Sequence, residues 1–185
     1  SSMRKRNTPE RAGWTQRRGQ LRREALQEAA ARLLKRREID DVSLEDVARE
    51  ARIPVASAYH FYKDRNALFV ALAAQLSERI AAIIARPYSP AQRKDWHTLI
   101  KTALRRVTRH YAMDPAARKL LLDGKTPAEI KLAERLRDQS VGALMEGIFA
   151  RHFALPTFAE RTAVFFHTVE IADLLLQLSA MQHRR

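Results

Sequence analysis

The chain has 185 residues, no cysteine, and 34 Lys/Arg against 21 Asp/Glu for a formal net charge of +13. That length suits one domain or two small ones with a proper core, and zero cysteines exclude disulfides and any Cys-ligated zinc, iron–sulfur or thiolate chemistry. The charge favours a polyanionic partner such as nucleic acid or an anionic surface; with no run approaching eighteen uncharged apolar residues and no apolar stretch at the start, the expectation is a cytoplasmic protein without a membrane partner.

The charge is uneven along the chain. Residues 1–37 hold twelve Lys/Arg against three Glu (+9), residues 38–66 four against seven (−3), and residues 67–185 eighteen against eleven (+7). The first stretch, 1–14, has Arg4, Lys5, Arg6, Pro9 and Gly13 and no apolar periodicity, which predicts a flexible basic arm. Thr15 is placed to cap a helix from Gln16 to Arg37. Leu21, Ala25, Leu26, Ala29, Ala30, Leu33 and Leu34 follow helical spacing there, and Arg17, Arg18, Arg22, Arg23 and Arg32 fill the other positions.

Ser43 precedes a short apolar-periodic run, Leu44, Val47, Ala48 and Ala51, with Asp46 three residues on; its hydroxyl can cap a helix of about two turns. Arg52-Ile53-Pro54 breaks that pattern, and Pro54 suits the first turn of a second short helix carrying Val55 to His60. Two short helices and a tight turn predict a helix-turn-helix, within a domain spanning 15–63. Asp64 can cap a connecting helix, 64–86, with Leu68, Leu72, Ala73, Leu76, Ile80 and Ile83 inward.

Arg86-Pro87-Tyr88-Ser89-Pro90 interrupts any helix and opens a second domain, 87–185. A helix from Ala91 or Asp95 to Met113 presents Trp96, Leu99, Ile100, Leu104, Val107 and Tyr111 on one side, with Lys101, Arg105 and Arg109 opposite. Asp114-Pro115 starts a short helix stopped by Gly124; Thr126-Pro127-Ala128-Glu129 starts another that runs to Phe153. The last helix, about Phe158 to Gln182, is apolar nearly all round from Thr162 and should be buried on several sides. Eight helices and no strand alternation define an all-α chain.

The string Tyr59-His60-Phe61-Tyr62-Lys63-Asp64-Arg65-Asn66-Ala67-Leu68 resembles the end of the DNA-binding domain of TetR-family transcriptional regulators, and the resemblance covers about Gln16 to Leu76. It implies an all-α, TetR-like fold: a three-helix DNA-binding domain followed by a helical ligand-binding and dimerisation bundle. Carried over residue by residue, it places Val55, Ala56, Ser57, Tyr59 and His60 toward DNA. Ser57 and His60 suit base edges, and Val55 or Ala56 a thymine methyl. Tyr59, Lys63, Ser43 and Arg65 are expected at phosphates, as are Arg17 and Arg18.

Two departures stand out. Family members usually carry Gly in the turn where this chain has Arg52, and a Ser/Thr-Lys/Arg-Gly start to the second helix where it has Pro54-Val55-Ala56. That helix also lacks Arg, Lys, Asn and Gln, the bidentate readers of guanine and adenine, so specificity is expected to lean on the N-terminal arm and on DNA shape.

By the same resemblance the second domain encloses a small-molecule effector and pairs two subunits through its last helices, here 127–153 and 158–182 or a further helix. Candidate effector contacts are Trp96, Ile100, Tyr111, Met145, Phe149, Phe166, His167 and Glu170, with His152, Phe165 and Asp173 also considered. Glu170 and Asp173, two carboxylates on an apolar helix, need a cationic ligand, Arg161, the Arg105/Arg109 face or a dimer axis. The implied function is a homodimeric repressor released from a palindromic operator on double-stranded DNA by a small molecule. A DNA-bound adaptor or architectural protein without an inducer is the alternative. No Gly-rich phosphate loop, metal-ligand cluster or nucleophile-base arrangement is present, so no enzyme, metal or cofactor is expected.

Overall fold

The computed structural model describes residues 9–123 and 126–182. Its α-helices are α1 (Pro9–Leu34), α2 (Leu44–Glu50), α3 (Val55–Phe61), α4 (Arg65–Ala85), α5 (Trp96–Met113), α6 (Pro115–Ala117), α7 (Ala128–His152) and α8 (Arg161–Gln182). Short 3-10 turns lie at Ile39–Asp41 and Pro90–Arg93, and α6 continues into a π-helical turn, Arg118–Leu122. Among the described residues there is no strand.

The caps explain where the chain starts each element. Ser43 and Asp46 form a reciprocal capping box: Ser43 Oγ accepts from the Asp46 amide at 3.0 Å, and Asp46 Oδ2 accepts from the Ser43 amide at 3.2 Å. Asp64, Asp95 and Asp114 each accept from an amide in the first turn of α4, α5 and α6. One core runs through the molecule, from Leu26, Leu34 and Val47 through Phe69, Leu72 and Leu76 to Leu99, Leu120 and Ile130. The connecting helix α4 supplies its middle, burying Leu68, Phe69, Leu72, Ala73, Leu76, Ile80 and Ile84.

Several sequence expectations are corrected. Helix α1 begins at Pro9 rather than after a Thr15 cap, so only residues 1–8 of the expected arm, including Arg4, Lys5 and Arg6, lie outside the described residues. Pro9 is tolerated in a first turn, and Gly13 costs such a helix only about 1 kcal/mol. Ile84, not Ile83, completes the buried face of α4. Thr126 does not cap α7, because the N-cap is Pro127. Its hydroxyl instead donates to the carbonyls of Asp123 (2.7 Å) and Leu120 (3.0 Å), meeting acceptors that the π-helical turn leaves open.

The last helix starts at Arg161, three residues later than its composition suggested, and none of its described residues is buried. The expectation that it is enclosed on several sides does not hold within one chain, since only α7 packs along much of it. That packing is close: a Cβ on Gly142 would lie 2.9 Å from the Phe166 Cα. Ile171 and Leu175, about 60% exposed, and Leu174, Leu178 and Met181 face outward. By length and composition both α4 and α8 could cross a membrane, but α4 is sunk in the core described above.

Candidate nucleic-acid interface and apolar cavity

The turn between α2 and α3 contains the chain's one described non-glycine residue with positive φ, Arg52 at 57°. This is the position where the sequence lacks the usual glycine, and the backbone adopts the left-handed conformation anyway. It lets the Ile53 amide donate to the Ala48 carbonyl at 2.9 Å and sets α3 against α2. On α3, Ala58 is buried, as is Tyr62 just past its end, while Val55, Ala56, Tyr59 and His60 are exposed and Ser57 is half-buried. Four of the five expected DNA-facing residues therefore share the open side, and His60 rests edge-on against Phe61.

Helix α1 braces the far end of α3. Gln27 Nε2 donates to the Tyr62 hydroxyl at 2.9 Å, and the Arg23 guanidinium lies 5.4 Å from the Phe61 ring centroid. Arg17, Arg18 and Arg22 are exposed on the preceding turns of α1. Lys63 is exposed just past α3, with Asp64 Oδ2 3.9 Å from its Nζ.

Of the expected phosphate residues, Ser43 is held in the α2 cap and Lys63 lies beside Asp64, and two more have protein partners. The Tyr59 hydroxyl, on a side chain 46% exposed, donates to Glu45 Oε1 of α2. That bond lowers the Glu45 carboxyl and raises the Tyr59 phenol. Arg65 Nη1 donates to the carbonyls of Ile39 (3.2 Å), Asp40 (3.3 Å) and Val42 (3.4 Å), so the start of α4 holds the turn that leads into α2. Its Nε and Nη2 make no described hydrogen bond and remain able to reach an anion. Sequence reasoning passed over Glu45; its i to i+14 relation to Tyr59 crosses the turn and leaves no periodic trace.

A cavity of about 420 Å³ opens between α4, α5, α7 and α8. Ser77, Ile80 and Ile84 of α4 form one wall. Of the candidate effector contacts, Trp96, Ile100, Tyr111, Met145 and Phe149 line it, and so do Phe165 and Asp173. Phe166, His167, Glu170 and His152 do not. His167 Nδ1 lies 3.3 Å from Glu170 Oε2 outside the cavity, and Arg161 pairs with Glu146 at 2.7 Å rather than with either carboxylate of α8. Burial pushes the Asp173 carboxyl up, partly offset by the Gln177 amide donating to Oδ2 at 2.7 Å.

The cavity also touches the DNA-binding half by a second route. Leu121, in the π-helical turn, lines the cavity. Two residues earlier, Lys119, only 9% exposed, donates from Nζ to the Arg37 carbonyl at 2.8 Å and pairs with Glu38 at 2.9 Å. Among the described residues no group of three or more His, Asp or Glu could hold a metal ion.

A capped α2, a tight turn and an α3 exposed on one side, braced by a basic α1, define a helix-turn-helix DNA-binding protein. Residues 26–72 match the family described as bacterial regulatory proteins, tetR family. The fold is similar to that of the TetR family repressor AlkX from Dietzia sp., described as implicated in biodegradation of n-alkanes, with a TM-score of 0.55 and 18% identity over 84% of this chain and 83% of that one. No curated protein matches the sequence. The chain thus carries the DNA-binding domain of the TetR family within an all-α TetR fold, and it is a transcriptional regulator.

Proposed function

We propose that this regulator is a cytoplasmic homodimeric repressor that binds a palindromic operator and leaves it when a small molecule occupies the cavity between α4, α5, α7 and α8. One observation carries the reading: that cavity shares α4 with the helix-turn-helix. Ser77, Ile80 and Ile84 meet its contents, and Arg65, at the other end of the same helix, holds the carbonyls ahead of α2. A ligand that fits one placement of α4 better than another shifts the spacing of two reading heads by that difference in affinity. An adaptor without an inducer would need no such space, so the open cavity favours the ligand-responsive reading.

The dimer reading rests on α8. Its outward row of Ile171, Leu174, Leu175, Leu178 and Met181 is the kind of contiguous apolar face that a second copy covers. In the reading head, Val55, Ala56, Ser57 and His60 would meet base edges, with Tyr59, Lys63, Arg65, Ser43, Arg17 and Arg18 on the backbone.

Selection of genomic fragments by the purified protein at moderate salt, followed by sequencing, tests this. A shared inverted repeat with half-sites about one helical turn apart is expected. Salt-sensitive retention without any shared repeat would overturn the operator-bound reading.

A further inference from the structure

The lining of the cavity is chemically uneven. Its walls are mostly apolar and include four aromatic rings, Trp96, Tyr111, Phe149 and Phe165. Among the described residues lining it, Asp138 and Asp173 are carboxylates, and none is Lys, Arg or His. This stands out in a chain of net charge +13. The cations of α5 are turned elsewhere: Lys101, Arg105 and Arg109 are exposed, and Arg106 donates to the Arg86 and Pro87 carbonyls.

The carboxylates differ in how they are met. Glu146 takes Arg161 and Thr162, and Glu170 lies against His167, all outside the cavity. Asp173 accepts from the neutral Gln177 amide, and among the described residues no cation lies within salt-bridge distance of it. A carboxylate at a largely apolar wall is costly to desolvate unless a positive group meets it. Aromatic faces in the same wall attract that same kind of group.

We propose that the effector is a lipophilic organic cation, its apolar body filling the volume between α5 and α7 and its positive centre set against Asp173. This rests on the reading of the cavity as the effector site and adds the chemical class of the effector. The protein's overall positive charge works against non-specific attraction of a cation, so a preference for one reports on the cavity itself.

The test is calorimetric titration of the full-length protein with three ten-carbon probes below their micellar concentrations: decyltrimethylammonium, 1-decanol and decanoate. Decyltrimethylammonium is expected to bind about tenfold more tightly than decanol, with decanoate weakest. Asp173→Asn should remove most of that advantage and leave decanol binding unchanged. Equal binding of cation and alcohol, or an undiminished preference in the variant, overturns the charge assignment while leaving an apolar effector site. Failure of decanol and the cation alike to bind overturns the effector site together with the assignment.

Discussion

Replacing Arg52 by glycine should make the protein more stable. Arg52 holds φ at 57° in the turn of the helix-turn-helix, where an L-residue pays about 1–2 kcal/mol for the contact between its Cβ and the following carbonyl. Its side chain is exposed and makes no described hydrogen bond or ion pair, so truncation removes no partner. Glycine relieves the clash but gives the unfolded chain extra freedom, worth roughly 0.5–1 kcal/mol against the variant. The net gain is therefore about 0.5–1 kcal/mol, or a rise in Tm of roughly 1–4 °C for a chain of this size. Thermal unfolding followed by circular dichroism at one fixed protein concentration measures it, since dimerisation makes Tm concentration-dependent. Arg52→Ala is the control, because alanine keeps the clash and should give no gain. If the alanine variant is as stabilised as the glycine one, the gain comes from losing a cation, and the backbone argument is wrong.

Other outcomes follow from the same geometry. Gly142→Val forces α7 and α8 apart at Phe166 and should cost about 1–3 kcal/mol and weaken self-association in sedimentation velocity. Gly147→Ala, with nothing within 4 Å of the added Cβ, should leave both unchanged or slightly improved. Lys119→Met leaves the Arg37 carbonyl and Glu38 without their partner and should cost about 1–2 kcal/mol in denaturant unfolding; an unaltered midpoint would mean that the clasp contributes nothing. Burial raises the Asp173 carboxyl, so the folded chain binds that proton more tightly than the unfolded one and loses stability as pH rises through the raised value. Asp173→Asn should thus be more stable than the parent at neutral pH, with the gain shrinking as pH falls toward about 4, the ordinary aspartate range. Glu45→Gln keeps an acceptor for Tyr59 but removes a negative charge from the reading head. Operator affinity by fluorescence anisotropy should rise about threefold at low salt, and no rise would place Glu45 away from the phosphates.

The reading head was legible because its signals are local. Ser43 with Asp46 and Asp64 act within four residues and cap α2 and α4 as their chemistry implies, while Pro54 stands at the N-cap of α3 rather than in its first turn, and Arg52 takes the left-handed conformation that a glycine usually supplies. The start of α1 was misread for the same reason: Pro9 and Gly13 look like punctuation, yet neither alone ends a helix continuous with a strongly periodic one. Thr126 shows the limit of a capping motif, because Pro127 took the N-cap place while the hydroxyl found unsatisfied carbonyls behind it. The cavity was half legible. On α5 and α7 the apolar stripe has a definite phase, and Trp96, Ile100, Tyr111, Met145 and Phe149 do line the space. Helix α8 is apolar nearly all round, so its phase is unreadable. Phe166, His167 and Glu170 turn away, and Phe165, Thr168 and Asp173 turn in.

The distribution of charge explains how a reading head that is net acidic can still serve a DNA-binding protein. Residues 38–66, which contain α2 and α3, sum to −3, and the only cations past the turn are Lys63 and Arg65. Lys63 lies near Asp64, and one nitrogen of Arg65 is committed to three carbonyls. On the proposed reading, attraction to phosphate comes chiefly from the +9 of residues 1–37, where Arg17, Arg18 and Arg22 are exposed on α1 beside the end of α3. Affinity and selectivity are then separable. Removing cations from α1 lowers the salt slope by about one unit for each lost phosphate contact and leaves sequence preference intact. Changes on α3 alter preference with little effect on that slope. The same division suits the switch proposed for α4: a small movement at Arg65 would misalign two selective but weakly held heads without having to break a strong electrostatic grip at either one.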